Sequence, residues 1–130
     1  MSEVTVHGID HVVLNVADPE RSMRWYRDVL GLLPVDYEGW KAGRAGLLAI
    51  RINDTSIIDL VPTDAERTGE NMNHLAFWVD GDLDEFLARD DVDVWRRDEG
   101  FIGAQGAGPS AQIVDPDGNR IELKQYLPLA

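Results

Sequence analysis

The sequence contains no cysteine, which excludes disulfides and thiolate metal ligands alike. Any bound metal would have to be held by His, Asp, Glu and water. Lysine is nearly absent too, with Lys41 and Lys124 the whole complement. Against 12 basic residues stand 24 acidic ones, a formal net charge of −12. Nucleic acids and anionic membranes both present negative surfaces, so neither is expected as a partner. No apolar run approaches the roughly 20 residues that span a bilayer. The opening Met1-Ser2-Glu3-Val4-Thr5 has neither the basic nor the apolar region of a signal peptide, so the expected address is cytoplasmic. At 130 residues, 44% of them hydrophobic, the chain reads as one domain spanning 1–130 with a real core.

What is present is duplicated. His11 lies in Ile9-Asp10-His11-Val12-Val13-Leu14, and His74 lies in Asn73-His74-Leu75-Ala76-Phe77, an offset of 74 − 11 = 63 residues. The same offset carries Ile58-Asp59-Leu60 onto Ile121-Glu122-Leu123, since 122 − 59 = 63. Each half therefore opens with a histidine on an apolar strand and closes with a carboxylate on another. Two histidines with one or two carboxylates are the makings of a divalent-metal site.

The first module, about 9–62, starts with a strand over 9–16 whose alternation puts His11, Val13 and Asn15 on one face. Asp18-Pro19 signals a helix start, capped by Asp18, running to about Leu30 and closed by Gly31. Short strands are predicted near 34–40, 45–52 and 55–61, with a tight turn at Asn53-Asp54. A polar linker, 62–71, leads to the second module, about 72–126. It repeats the order: a strand at 72–79, a helix from about Asp82 to Arg89, then strands near 92–97, 110–114 and 119–126. Asp115-Pro116-Asp117-Gly118 is a strong turn signal between the last two. Each half thus reads β-α-β-β-β. Neither half, at roughly 60 residues, would bury enough surface to be comfortable alone. The expected architecture is α+β, two paired βαβββ modules forming an open, barrel-like sheet around a metal cleft.

With both repeats laid out, the chain resembles the vicinal oxygen chelate superfamily, which includes glyoxalase I, extradiol dioxygenases, fosfomycin-resistance enzymes and bleomycin-resistance binding proteins. The two histidine segments carry the likeness together with Trp25-Tyr26-Arg27-Asp28-Val29-Leu30-Gly31-Leu32 and Asp115-Pro116-Asp117-Gly118-Asn119-Arg120-Ile121-Glu122-Leu123. The resemblance implies that His11, His74 and Glu122 bind a divalent ion. Asp59 stands where glyoxalase I has a fourth ligand, one methylene longer. The ion would be Ni, Zn, Mn, Co or Fe, chelated by two adjacent oxygens of a small-molecule substrate. The resemblance also implies a homodimer.

Three functions compete on this reading. A glyoxalase-I-like lyase or isomerase would stabilise a metal-bound enediolate, with Glu122 or Asp59 shuttling the proton. An extradiol-type Fe(II) dioxygenase would use His11, His74 and Glu122 as its facial triad, but the extra His and Tyr that such enzymes carry beside the metal are poorly matched, with His7 outside the expected cleft and Tyr126 the only well-placed tyrosine. A bleomycin-resistance-like binding protein would not need an intact ligand set. We expect the lyase or isomerase. Beyond the ligands, Trp78 shares the His74 face and would line the substrate pocket. The glycine-rich stretch 100–108 lacks a phosphate-cradling pattern and reads as a mobile lid. His7 reads as a surface residue, and Arg96 and Arg97 as a solvated edge.

Overall fold

The computed structural model describes residues 4–126. They form two compact units, one running to Ala65 and the other starting at Glu66. Each is built on a four-stranded mixed sheet, so the fold class is α+β, and neither sheet closes into a barrel. No helix among the described residues is long and apolar enough to cross a membrane.

In the first unit, β1 (His11–Val16) and α1 (Pro19–Leu30) follow the expected pattern. The Asp18 side chain accepts the Arg21 N–H, Pro19 occupies the first turn, and Gly31 ends the helix at φ 72°. The helix buries Met23, Tyr26 and Val29 and packs on β3 (Leu48–Asn53) and β4 (Ser56–Pro62). Sheet order is β1-β4-β3-β2, with β1 parallel to β4 and β3 antiparallel to it. The apolar face carries Leu14, Val16, Leu48, Ile50, Ile58 and Leu60, all buried.

The predicted strand over 34–40 is mostly not a strand. Only Pro34–Val35 pairs, as β2, and a short helix, α2 (Tyr37–Lys41), follows. The cause is local: Asp36 adopts φ 47° and its carboxylate accepts the Gly39 N–H, capping a helix there. A Cβ at residue 39 would overlap that carboxylate, so a larger residue there would displace the cap. The tight turn falls one residue later than expected, at Asp54-Thr55, with Asn53 Oδ1 accepting from Thr55 N, Thr55 Oγ1 and Ser56 Oγ. The first unit is therefore β-α-β-α-β-β.

The second unit keeps the predicted order: β5 (Leu75–Trp78), α3 (Leu83–Leu87), β6 (Val94–Gly103), β7 (Gly106–Val114) and β8 (Arg120–Lys124). Sheet order is β5-β8-β7-β6, with the same parallel and antiparallel senses as its counterpart. Ile113, Ile121 and Leu123 form the buried face.

The glycine-rich stretch is not a loose lid but the end of the β6–β7 hairpin, tied down to β8. Lys124 Nζ donates to the carbonyls of Phe101 (2.5 Å) and Gly108 (2.6 Å), and Tyr126 OH accepts the Gln105 N–H. Cβ atoms at Gly103 and Gly108 would overlap Tyr126 OH and the Gln125 carbonyl. Small residues are there for close packing.

Candidate metal centre

The 63-residue repeat is a repeat of register, not only of sequence. In the first sheet Val13 pairs with Asp59 and Ala49 pairs with Asp59 from the other side. In the second, Ala76 and Gln112 flank Glu122 in the same way. Residues paired across strands point to one face, as do residues two apart along a strand. Asp59 therefore shares a face with His11, and Glu122 shares one with His74. In both units this is the face opposite the apolar one.

Each histidine is held in the same manner. His11 Nδ1 lies 2.7 Å from Asp10 Oδ2, and His74 Nδ1 lies 2.7 Å from Asn73 Oδ1. Both partners are acceptors, so Nδ1 is the protonated nitrogen and Nε2 keeps its lone pair. His11 Nε2 then stands 4.0 Å from Asp59 Oδ2, and His74 Nε2 stands 3.9 Å from Glu122 Oε1. Those gaps are too long for a hydrogen bond. Two donors can both sit about 2.1 Å from one ion only when they are less than about 4.2 Å apart, and both pairs satisfy this. A free imidazole nitrogen facing a carboxylate, its other nitrogen anchored, is a donor set that suits a divalent cation.

The electrostatics of the two pairs differ. The hydrogen bond to Asp10 raises the His11 pKa above its ordinary value; desolvation opposes this, and the charges of Asp10 and Asp59 add to it. The partner of His74 is a neutral amide. The Glu122 side chain is 5% exposed and that of Asp59 16%. Among the described residues, no group of three or more His, Asp or Glu is placed to hold a metal. The structure thus gathers the four expected residues as two matched pairs.

Other residues fall as follows. His7 is exposed. Arg96 pairs with Asp98, and Arg97 with Asp84 and Glu99, as a solvated edge would. Trp78 is 68% exposed and edge-on to Tyr126. Asp10 and Asn73 were not singled out in the sequence. The signal was available, since they precede their histidines at the same offset, 73 − 10 = 63. Gln112 was missed because its place beside Glu122 depends on strand register.

Two matching mixed sheets, each presenting a histidine and a carboxylate on its open face, define a duplicated α+β scaffold. The chain belongs to the glyoxalase/bleomycin resistance protein/dioxygenase superfamily, whose profile matches residues 8–123. It is 28% identical over 129 residues to virulence protein STM3117 of Salmonella typhimurium, covering 96% of this chain and 88% of the relative. It is 27% identical to a probable lactoylglutathione lyase of Synechocystis, covering 88% of this chain and 92% of that one. Among solved structures, an integron cassette protein from V. cholerae superposes with a TM-score of 0.76 at 28% identity, over 97% of this chain and all of that one.

Proposed function

We propose that the protein is a divalent-metal-dependent lyase or isomerase of the glyoxalase I kind, with His11, Asp59, His74 and Glu122 as the ligand set. The observation that supports it is the twofold recurrence of one arrangement: Nδ1 anchored, Nε2 turned to a carboxylate. Likeness to a probable lactoylglutathione lyase points to the same chemistry. A bound cation would supply Lewis-acid stabilisation for the negative charge that develops on a substrate's two vicinal oxygens.

The protein's own part is to position and to move a proton. Asp10 and Asn73 fix the imidazole rings, so that both Nε2 atoms are ready without rearrangement. A carboxylate, Glu122 or Asp59, takes the proton from the carbon next to a carbonyl and returns it to the neighbouring carbon. No electrons are gained or lost overall, so neither oxidant nor reductant is needed. The same reading includes a homodimer acting on a small molecule in the cytoplasm.

The test is elemental analysis of protein purified without added metal or chelator, beside a His11→Ala/His74→Ala variant. About one Ni, Zn, Mn or Co per chain, lost in the variant, is the expected result. Hemithioacetal isomerisation would then be assayed in wild type, Glu122→Gln and Asp59→Asn, and the variant that keeps metal but loses turnover names the proton carrier. Iron with turnover of catechols would replace the lyase by a dioxygenase. Wild type that stays empty after incubation with each ion would overturn the enzyme reading in favour of a small-molecule binding protein.

A further inference from the structure

The open face of the second sheet carries more than a ligand pair. Register sets two rows of side chains across it. One row is Ala76, Glu122 and Gln112; the next is Trp78, Lys124 and Ser110. Gln112 is only 8% exposed, yet its side chain makes no hydrogen bond to another described residue. Its amide atoms are also not sealed away, because among the described residues no buried side-chain polar atom lacks a partner. A largely buried amide with no hydrogen-bond partner among the described residues, directly beside Glu122, is poised to hydrogen-bond a ligand.

Trp78 adds the apolar counterpart. Large aromatic side chains are seldom left in water, and this one is 68% exposed. It is also firmly braced. Its ring meets Tyr126 edge-on at 6.1 Å. The Lys124 ammonium lies 5.1 Å from the Tyr126 ring centroid and is itself held by two carbonyls of the β6–β7 hairpin. Lys124 is 3% exposed and commits its ammonium to those carbonyls, so it braces this face rather than meeting a ligand. Pre-organised aromatic area beside the chelating pair suits a planar aromatic group.

We propose that Trp78 and Gln112 form the specificity subsite of this protein, Trp78 stacking on an aromatic substituent of the substrate and Gln112 hydrogen-bonding its oxygens beside Glu122. The substrate class is then an aryl-substituted 2-hydroxy carbonyl compound or its hemithioacetal equivalent, and an aryl 2-oxo acid, which has no carbon-bound proton to move, is a non-reacting probe of the same vicinal oxygens. This rests on the reading of Glu122 as a metal ligand, and the test separates the two.

Phenylglyoxylate and pyruvate share a 2-oxo acid head and differ in an aryl against a methyl group. Both are titrated calorimetrically into metal-loaded and metal-free protein, with metal content measured alongside. Phenylglyoxylate should bind wild type at least about tenfold more tightly than pyruvate. Trp78→Ala should erase that preference with metal content unchanged, and Trp78→Phe should keep part of it. Gln112→Leu should weaken both probes by the same factor. The proposal is overturned if phenylglyoxylate does not bind, if the two probes bind equally, or if the preference survives Trp78→Ala. It is also overturned if Trp78→Ala alters only the mass in sedimentation, which would make Trp78 a contact between copies. A wild type that prefers the aryl probe yet takes up no metal would sink the metal-enzyme reading and leave this one standing. Normal metal uptake without aryl preference would do the reverse.

Discussion

The two sheets share a strand plan down to the pairing of single residues, but they do not share surroundings for their histidine–carboxylate pairs. In the first unit Asp59 is flanked by Val13 and Ala49, and the next pair along is Asn15 with Val61. In the second, the corresponding positions hold Ala76, Gln112, Trp78 and Lys124. The imidazole partners differ as well, a charged Asp10 in one and a neutral Asn73 in the other. The strand register around each histidine–carboxylate pair is the same in both units, while the neighbouring side chains differ. The first unit offers a small, aliphatic setting with an electron-rich imidazole. The second offers a longer, better buried carboxylate inside a polar and aromatic field.

That contrast can be broken most severely at Glu122. Glu122→Ala should lower metal affinity by about 100-fold or more, because it removes a ligand outright. Competition against a chelating dye would measure it, and a loss below tenfold would remove Glu122 from the ligand set. Next comes the hairpin brace found only in the second unit. Gly108→Ala pushes a methyl group into the Gln125 carbonyl, and should cost roughly 1–3 kcal/mol by urea unfolding. An unchanged midpoint would mean that β7 does not approach β8 so closely.

Smaller effects sharpen the comparison. Asp59→Asn should weaken metal binding by about tenfold, less than Glu122→Ala, because the shorter, more exposed acid is the weaker partner. Equal losses would make the two carboxylates interchangeable. The smallest change is the exchange of the imidazole partners. In metal-free protein followed by NMR, His11 should titrate above its ordinary value, and Asp10→Asn should move that titration down. The sign follows from the cause: a carboxylate accepting from the ring stabilises the protonated form, and an amide does so less. An unmoved His11 would show that Asp10 does not hold it.

The fold was largely legible because its signals are periodic and local. Alternating apolar residues gave the strands, Asp18-Pro19 and Gly31 bounded α1, and the start of α3 was expected near Asp82, which the structure shows as its cap. The ligand candidates were legible because they occur twice at one offset. Misreadings came where side chains act on the backbone or across strands. The helix at 37–41 depends on the left-handed conformation of Asp36, which composition does not announce. The stretch 100–108 looked mobile because glycine usually signals freedom, whereas Gly103 and Gly108 make room for Tyr126 and Gln125. Gln112 became visible only once the β7–β8 register was known.

One turn has a consequence for how such a protein can change in length. The Asp115 carboxylate accepts the N–H groups of Asp117 and Asn119 and the Asn119 side-chain amide, while Arg67 donates to Asp117 O and Asn119 Oδ1 from outside. This knot sits three residues before Glu122 and sets the phase of β8. One residue added between Asn119 and Arg120 would turn Glu122 into the apolar layer and bring Ile121 to the open face. One residue added at Ala104-Gln105, the far tip of the hairpin, leaves that phase alone. Insertions and deletions in descendants of this chain should therefore accumulate at the tip and be purged from the knot, and a library of single-residue insertions read out by metal uptake would draw that boundary directly.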